Sequence, residues 1–197
     1  MPRPVELLPS QQSASSPQPR RPRRAFLLLG VVLATGLGIG LFSGVGSNGS
    51  RTATVGGPAP AFSLPRLAGP GNVGTPADGG GGGRPAVLLF FASWCTPCQQ
   101  EIPALAAAYR AQGRGSSAVP VIGVDVLDPR SQAKAFVDRS GVTFPVAVDA
   151  TGRVTEGLYA FIGPPAAVFI SRDGTIVHIA RGSITPRQLL SWEARLR

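Results

Sequence analysis

Seven consecutive apolar residues, Ala86 to Ala92, run through Ser93 into Trp94-Cys95-Thr96-Pro97-Cys98. A strand that is apolar at every position must be covered on both faces, so it belongs at the centre of a sheet with helices on either side. The pattern then turns helical from about Thr96 to Gln112, which puts both cysteines where a central strand hands over to a helix. A helix N-terminus offers unpaired N–H groups and the positive end of the peptide dipoles, and both favour a thiolate, the reactive form of cysteine. Pro97 suits the first helical turn, where its missing N–H is not needed.

These 2 cysteines are the whole complement of the 197-residue chain. A bridge closing so short a loop removes little unfolded-state entropy, so stability is a poor reason for the pair. Zinc in a closed site wants four ligands, and the chain offers only Cys95, Cys98 and His178, the last on an expected strand near the far end. No metal site is expected, and no cofactor. The pair is instead arranged for exchange: Cys95 attacks a disulfide, and Cys98, almost one turn on and more covered, resolves the mixed disulfide. Run backwards, the same steps donate a disulfide. His178 reads as an ordinary strand residue.

The remaining chain divides by composition. Residues 1–24, rich in Pro, Ser, Gln and Arg, are expected to be a disordered basic tail in the cytoplasm. Residues 25–46 carry no charge and are long and apolar enough for a transmembrane signal-anchor helix. Arg20, Arg21, Arg23 and Arg24 precede that run and only Arg51 follows soon after, which orients it with the N-terminus inside and everything after about Ser47 outside the cytoplasmic membrane. Retention of the anchor is the expectation from its length, with release after signal cleavage as the alternative; Arg23-Arg24 also resembles a twin-arginine export signal. Residues 47–57 read as a flexible tether and 58–197 as the folded domain. Of the formal charge of +9, the tail holds Arg3, Arg20, Arg21, Arg23 and Arg24 against Glu6, and the remaining excess is diffuse, with basic residues after Arg51 scattered singly, so nucleic-acid binding is not expected.

Within the domain the pattern predicts an early strand at Ala61–Leu64 and further strands at Val119–Val126 and Val142–Val148. Helices are predicted at Ser131–Arg139, Gly152–Tyr159 and Pro186–Arg195. Ala166–Ile170 and Thr175–Ala180 form a hairpin through Asp173-Gly174, and the glycine run 79–83 is a surface loop. Strands alternating with helices before a closing hairpin and helix give an α/β fold with a mixed central sheet and an N-terminal strand or hairpin extension.

An ordered set of segments over about Gly56 to Arg197 resembles the TlpA/ResA/CcmG group of thioredoxin-like proteins. The set comprises Gly57 to Leu64, Gly83 to Cys95, then Glu101, Pro103 and Leu105, Val121 to Asp125, Phe144 to Val146, and Gly163 to Ile170. The resemblance implies a redox-active Cys95–Cys98 disulfide and a cis peptide bond at Pro165, with Trp94, Thr96, Pro97, Pro164 and Pro165 meeting the substrate. It also implies an extracytoplasmic thiol-disulfide oxidoreductase that reduces exported proteins such as apocytochrome c during cytochrome c maturation and is re-reduced by a membrane thiol-electron donor of the CcdA/DsbD kind. A disulfide-introducing oxidase, or a tethered binding module with an inert pair, would carry the same segments. Two departures stand out. Leu89 occupies the position where thioredoxin has a buried acid and this group often has Asn, so no proton relay can use it. Ala167-Val168 replaces the usual Thr-Phe after the cis-proline. Glu101 in the first turns of its helix is open to either a structural or a tuning role.

Overall fold

The computed structural model describes residues 52–75, 83–113 and 118–196. The expected tail at 1–24, the expected membrane span at 25–46 and most of the glycine run lie outside the described residues. Among those described, no helix is long and apolar enough to cross a membrane. The chain divides into the units Met1–Val45 and Gly46–Arg197, and all of the described residues belong to the second.

A two-stranded antiparallel hairpin, β1 (Phe62–Pro65) and β2 (Asn72–Thr75), precedes a five-stranded sheet. The sheet has the order β5-β4-β3-β6-β7, built from β3 (Ala86–Phe91), β4 (Val121–Val126), β5 (Val146–Asp149), β6 (Ala166–Ile170) and β7 (Ile176–Arg181). β3, β4 and β5 run parallel, and β6 and β7 antiparallel to their neighbours. The helices are α1 (Thr96–Ala111), α2 (Arg130–Arg139) and α3 (Pro186–Leu196), with a short π-helix at Arg153–Leu158. This is the mixed α/β sheet that the pattern predicts. Every residue of β3 is buried, as its uninterrupted apolar run requires.

The third expected strand, Val142–Val148, starts only at Val146, because Val142 to Pro145 form the approach to it. The short helix expected at Gly152–Tyr159 is a π-helix at Arg153–Leu158. The expected N-terminal extension is a hairpin whose second arm, β2, has no bounds in the pattern, and its Gly74 explains why it pairs so closely: a Cβ there would lie 2.0 Å from the Phe62 carbonyl oxygen. At Asp173-Gly174 the expected hairpin forms, with Gly174 at a φ of 82° that favours glycine.

The sheet buries a different core on each face. On one side Phe62, Phe90, Tyr159 and Phe161 pack together, with Phe90 5.1 Å from Tyr159 and 5.0 Å from Phe161 between ring centroids. On the other, α1, α2 and α3 cover a core that includes Leu89, Phe91, Ile102, Leu105, Phe136 and both cysteines. The described part of the expected tether joins the first of these faces. Ala53 is buried, its N–H donates to the Leu158 carbonyl at 2.8 Å, and Gly56 donates to Ile176 at 2.8 Å. From Thr52 onward the chain is therefore part of the fold rather than a spacer; alanine and valine among the glycines supply apolar contacts that a pure Gly/Ser linker lacks.

His178 lies in the middle of β7, stacked at 3.9 Å on Trp192 of α3, whose ring also lies 5.8 Å from that of Phe169 and 4.5 Å from the Arg195 guanidinium. Burial and the nearby Arg195 charge hold its imidazole below the usual range, which suits a packed strand residue.

Candidate active site

At the end of β3 the chain turns through Ala92, Ser93 and Trp94, and the Cys95 N–H closes that turn on the Ala92 carbonyl at 3.3 Å. Cys95 is the N-cap of α1, in extended backbone, and its Sγ accepts the Cys98 N–H at 3.3 Å. A sulfur thus takes the capping place usually held by a hydroxyl or carboxylate oxygen. The two cysteines are bridged, with Cα atoms 5.2 Å apart. Cys98 is fully covered, as expected, but Cys95 is also only 4% exposed. The Cys95 sulfur, expected to be the less covered of the two, is closed off as well, because in the bridge it is held by both Cys98 Sγ and the Cys98 N–H. Trp94, Thr96 and Pro97 form the exposed surround, with Trp94 52% exposed.

Register brings a second segment to the same end of the sheet. Ala166 pairs with Phe90, so the preceding Pro165 stands level with Phe91, the last residue of β3. The Pro164–Pro165 bond is cis, and the Pro165 carbonyl accepts the Gly182 N–H at 2.9 Å. Beside it a cavity of about 210 Å³ is lined by Phe161, Ile162, Pro165 and Arg181 among others. The loop into Pro164 holds Ala160 at a φ of 50°, and the loop leaving β4 holds Leu127 at 52°. These are the non-glycine residues with left-handed backbone among those described, and both lie in loops at the cysteine end, where strained backbone tends to mark function.

Beneath the motif lie acids that the sequence pattern does not single out. Asp128 is 6% exposed and its carboxylate accepts the Ser93 N–H at 2.6 Å and the Ser93 hydroxyl at 2.7 Å. The Gln99 side chain donates to the Ser93 carbonyl at 2.9 Å, so Ser93 is held from both sides two residues before Cys95. Asp125, in β4 opposite Phe91, is 0% exposed, and neither of its carboxylate oxygens has a partner in good hydrogen-bond geometry. Burial, then proton sharing and charge repulsion with the Asp128 carboxylate, push it up to about 8. The signal available in sequence is an acid inside an otherwise apolar strand, Val121 to Val126.

Glu101 accepts the Ile184 N–H at 3.0 Å and so ties α1 to the chain entering α3; burial raises its carboxyl above the usual range. Leu89, 2% exposed, pairs with Gly123 and Ala167, and no acid enters at that level. Among the described residues no group of His, Cys, Asp and Glu could hold a metal ion.

A capped, bridged pair at a helix N-terminus, with a cis-proline at the same end of the sheet, can accept or donate a disulfide by thiol exchange. The AhpC/TSA family matches residues 55–179 of this sequence. The chain belongs to that family. It is 30% identical over 111 residues to the thiol-disulfide oxidoreductase ResA of Geobacillus kaustophilus strain HTA426, an overlap of 54% of this chain and 60% of that protein. It is 29% identical over 131 residues to the thioredoxin-like protein YneN of Bacillus subtilis strain 168, covering 66% and 74% of the two chains. Its fold is shared with the crystal structure of StoA from Bacillus subtilis at 25% identity and a TM-score of 0.57, covering 68% of this chain and 96% of that one.

Proposed function

We propose that this family member is a thiol-disulfide oxidoreductase that works outside the cytoplasmic membrane and reduces disulfides in exported proteins. The observation that carries the reading is the Cys95–Cys98 bridge at the N-cap of α1, with Sγ of Cys95 accepting a backbone N–H. In the reduced protein that N–H and the helix end stabilise a Cys95 thiolate. The thiolate attacks one sulfur of a substrate disulfide, the other substrate sulfur leaves as a thiolate, and Cys98 then displaces the bound sulfur to restore the bridge.

A polypeptide partner is supported by exposed apolar side chains in three loops at this end of the sheet: Trp94 after β3, Leu127 after β4, and Ile162 before β6. Pro164 and Pro165 border the same place. Export is supported by the charge-free run at 25–46 behind four arginines. Apocytochrome c is the substrate that fits the resemblance to the ResA group, with a CcdA/DsbD-type membrane donor restoring the dithiol.

The test is the reduction potential of the full-length protein against a glutathione series, with transfer of electrons to an oxidised CxxCH peptide. A reductase has a potential well below that of strong disulfide donors. A value near about −120 mV would instead assign disulfide introduction.

A further inference from the structure

We propose that Asp125 and Asp128 share one proton and that this proton is coupled to the redox state of Cys95–Cys98, held more tightly when the bridge is open than when it is closed. The inference rests on the redox pair being active and is independent of the direction of electron flow.

The placement is fixed by register. Asp125 pairs with Phe91 on β3 and Val148 on β5, and both of those side chains belong to the core that contains the two cysteines. Its neighbours in β4, Val124 and Val126, belong to the opposite core. Asp125 therefore points into the cysteine side of the sheet near the end from which α1 departs. Asp128 reaches the motif directly through the Ser93 N–H and hydroxyl. Two carboxylates buried together resist losing both protons, and an orphan carboxylate is stable in such a site only as the neutral acid.

Among the described residues no cation pairs with either carboxylate. Of the groups on the packed elements, Arg130 of α2 donates to the Arg66 and Leu67 carbonyls and Lys134 pairs with Asp138. Asp149 of β5 is engaged by the start of the π-helix, Glu101 of α1 by Ile184, and Glu193 of α3 adds one more buried acid. Among the described residues no salt bridge reaches Asp125 or Asp128. A new thiolate at Cys95 therefore meets uncompensated negative charge.

When a partner dithiol reduces the bridge, the Sγ–Sγ bond breaks and a disulfide forms in the partner. Two electrons and the two thiol protons pass to Cys95 and Cys98. Where Cys95 remains a thiolate it gives up one of those protons, and the doubly ionised acid pair takes it up. The bridged protein loses the shared proton near pH 8. In the dithiol protein that loss moves to higher pH.

The experiment measures the pH dependence of the potential of the full-length protein, wild type beside Asp125→Asn. Above about pH 8 wild type should take up as much as one proton more per two electrons than Asp125→Asn. A redox-difference infrared spectrum of wild type should show a protonated carboxyl band that differs between the two states. Equal proton uptake in the two proteins overturns the proposal. If the variant does not fold, the wild-type spectrum decides, and a spectrum with no carboxyl change overturns it. Absence of any thiol exchange in wild type would instead defeat the proposed oxidoreductase function.

Discussion

Asp125 and Asp149 sit on neighbouring strands, are 0% and 1% exposed, and have opposite surroundings. Asp149 faces the aromatic core, and one of its oxygens accepts the Val154 N–H, the Thr155 N–H and the Thr155 hydroxyl at 3.1, 2.8 and 2.8 Å. It is part of the frame, tied by these three hydrogen bonds to the start of the π-helix. Asp125 faces the cysteine core and receives no such donors. One side of the sheet ties its acid into the frame, and the other keeps an unmatched acid facing the core that holds the two cysteines. Natural proteins tolerate such an exception where chemistry uses it.

The largest effect expected on either face is at the bridge. Cys95→Ser should abolish thiol-disulfide exchange, measured with a disulfide peptide, and leave the folded state close to wild type by circular dichroism, since so short a loop adds little stability. On the aromatic face the effect should be the reverse. Phe90→Ala removes a ring that contacts both Tyr159 and Phe161 and should cost about 3–5 kcal/mol in denaturant unfolding, with the potential of the folded fraction unchanged. Asp149→Ala should cost about 2–3 kcal/mol by the same measurement, because it strands three donors at the π-helix.

Asp125→Asn gives the most diagnostic change, because it is read as a slope against pH rather than as a loss at one pH. Its acid is raised from 3.8 to about 8, so between those values the native state holds a proton that the unfolded chain has released. Wild-type stability is then greatest at low pH from this group and falls as pH rises to about 8, at no more than ~1.4 kcal/mol per pH unit. Asp125→Asn should remove that slope. Unfolding series at several pH values measure it, and parallel curves for the two proteins would show that Asp125 keeps its ordinary acidity.

Much of this arrangement can be read from residues in order. The apolar run at Ala86–Ala92 demands a central strand, and Pro97 after a CxxC start demands the first turn of a helix. Asp173-Gly174 demands a turn, and each of these is local chemistry. What could not be read depends on neighbours distant in sequence. β2 exists because Gly74 lets the Phe62 carbonyl approach, a contact across 12 residues of chain. Thr52 to Gly57 reads as a spacer by composition and becomes structure only through Leu158 and Ile176. The covering of the Cys95 sulfur and the burial of Asp125 have the same origin: neither residue type declares which way it faces until β4 and α1 are packed. The cis bond at Pro165 was legible through family resemblance, not through the residues alone.

The chain's 2 tryptophans stand in contrasting positions, one exposed immediately before Cys95 and the other stacked on His178 with the Arg195 guanidinium 4.5 Å from its ring. The molecule thereby carries two built-in optical gauges. Trp94 emission should report the opening and closing of the bridge in real time, while Trp192 emission follows the packing of α3 against β7 and the charge on His178. Single Trp→Phe replacements would separate the two signals, so that turnover and unfolding can be watched independently in one unlabelled sample.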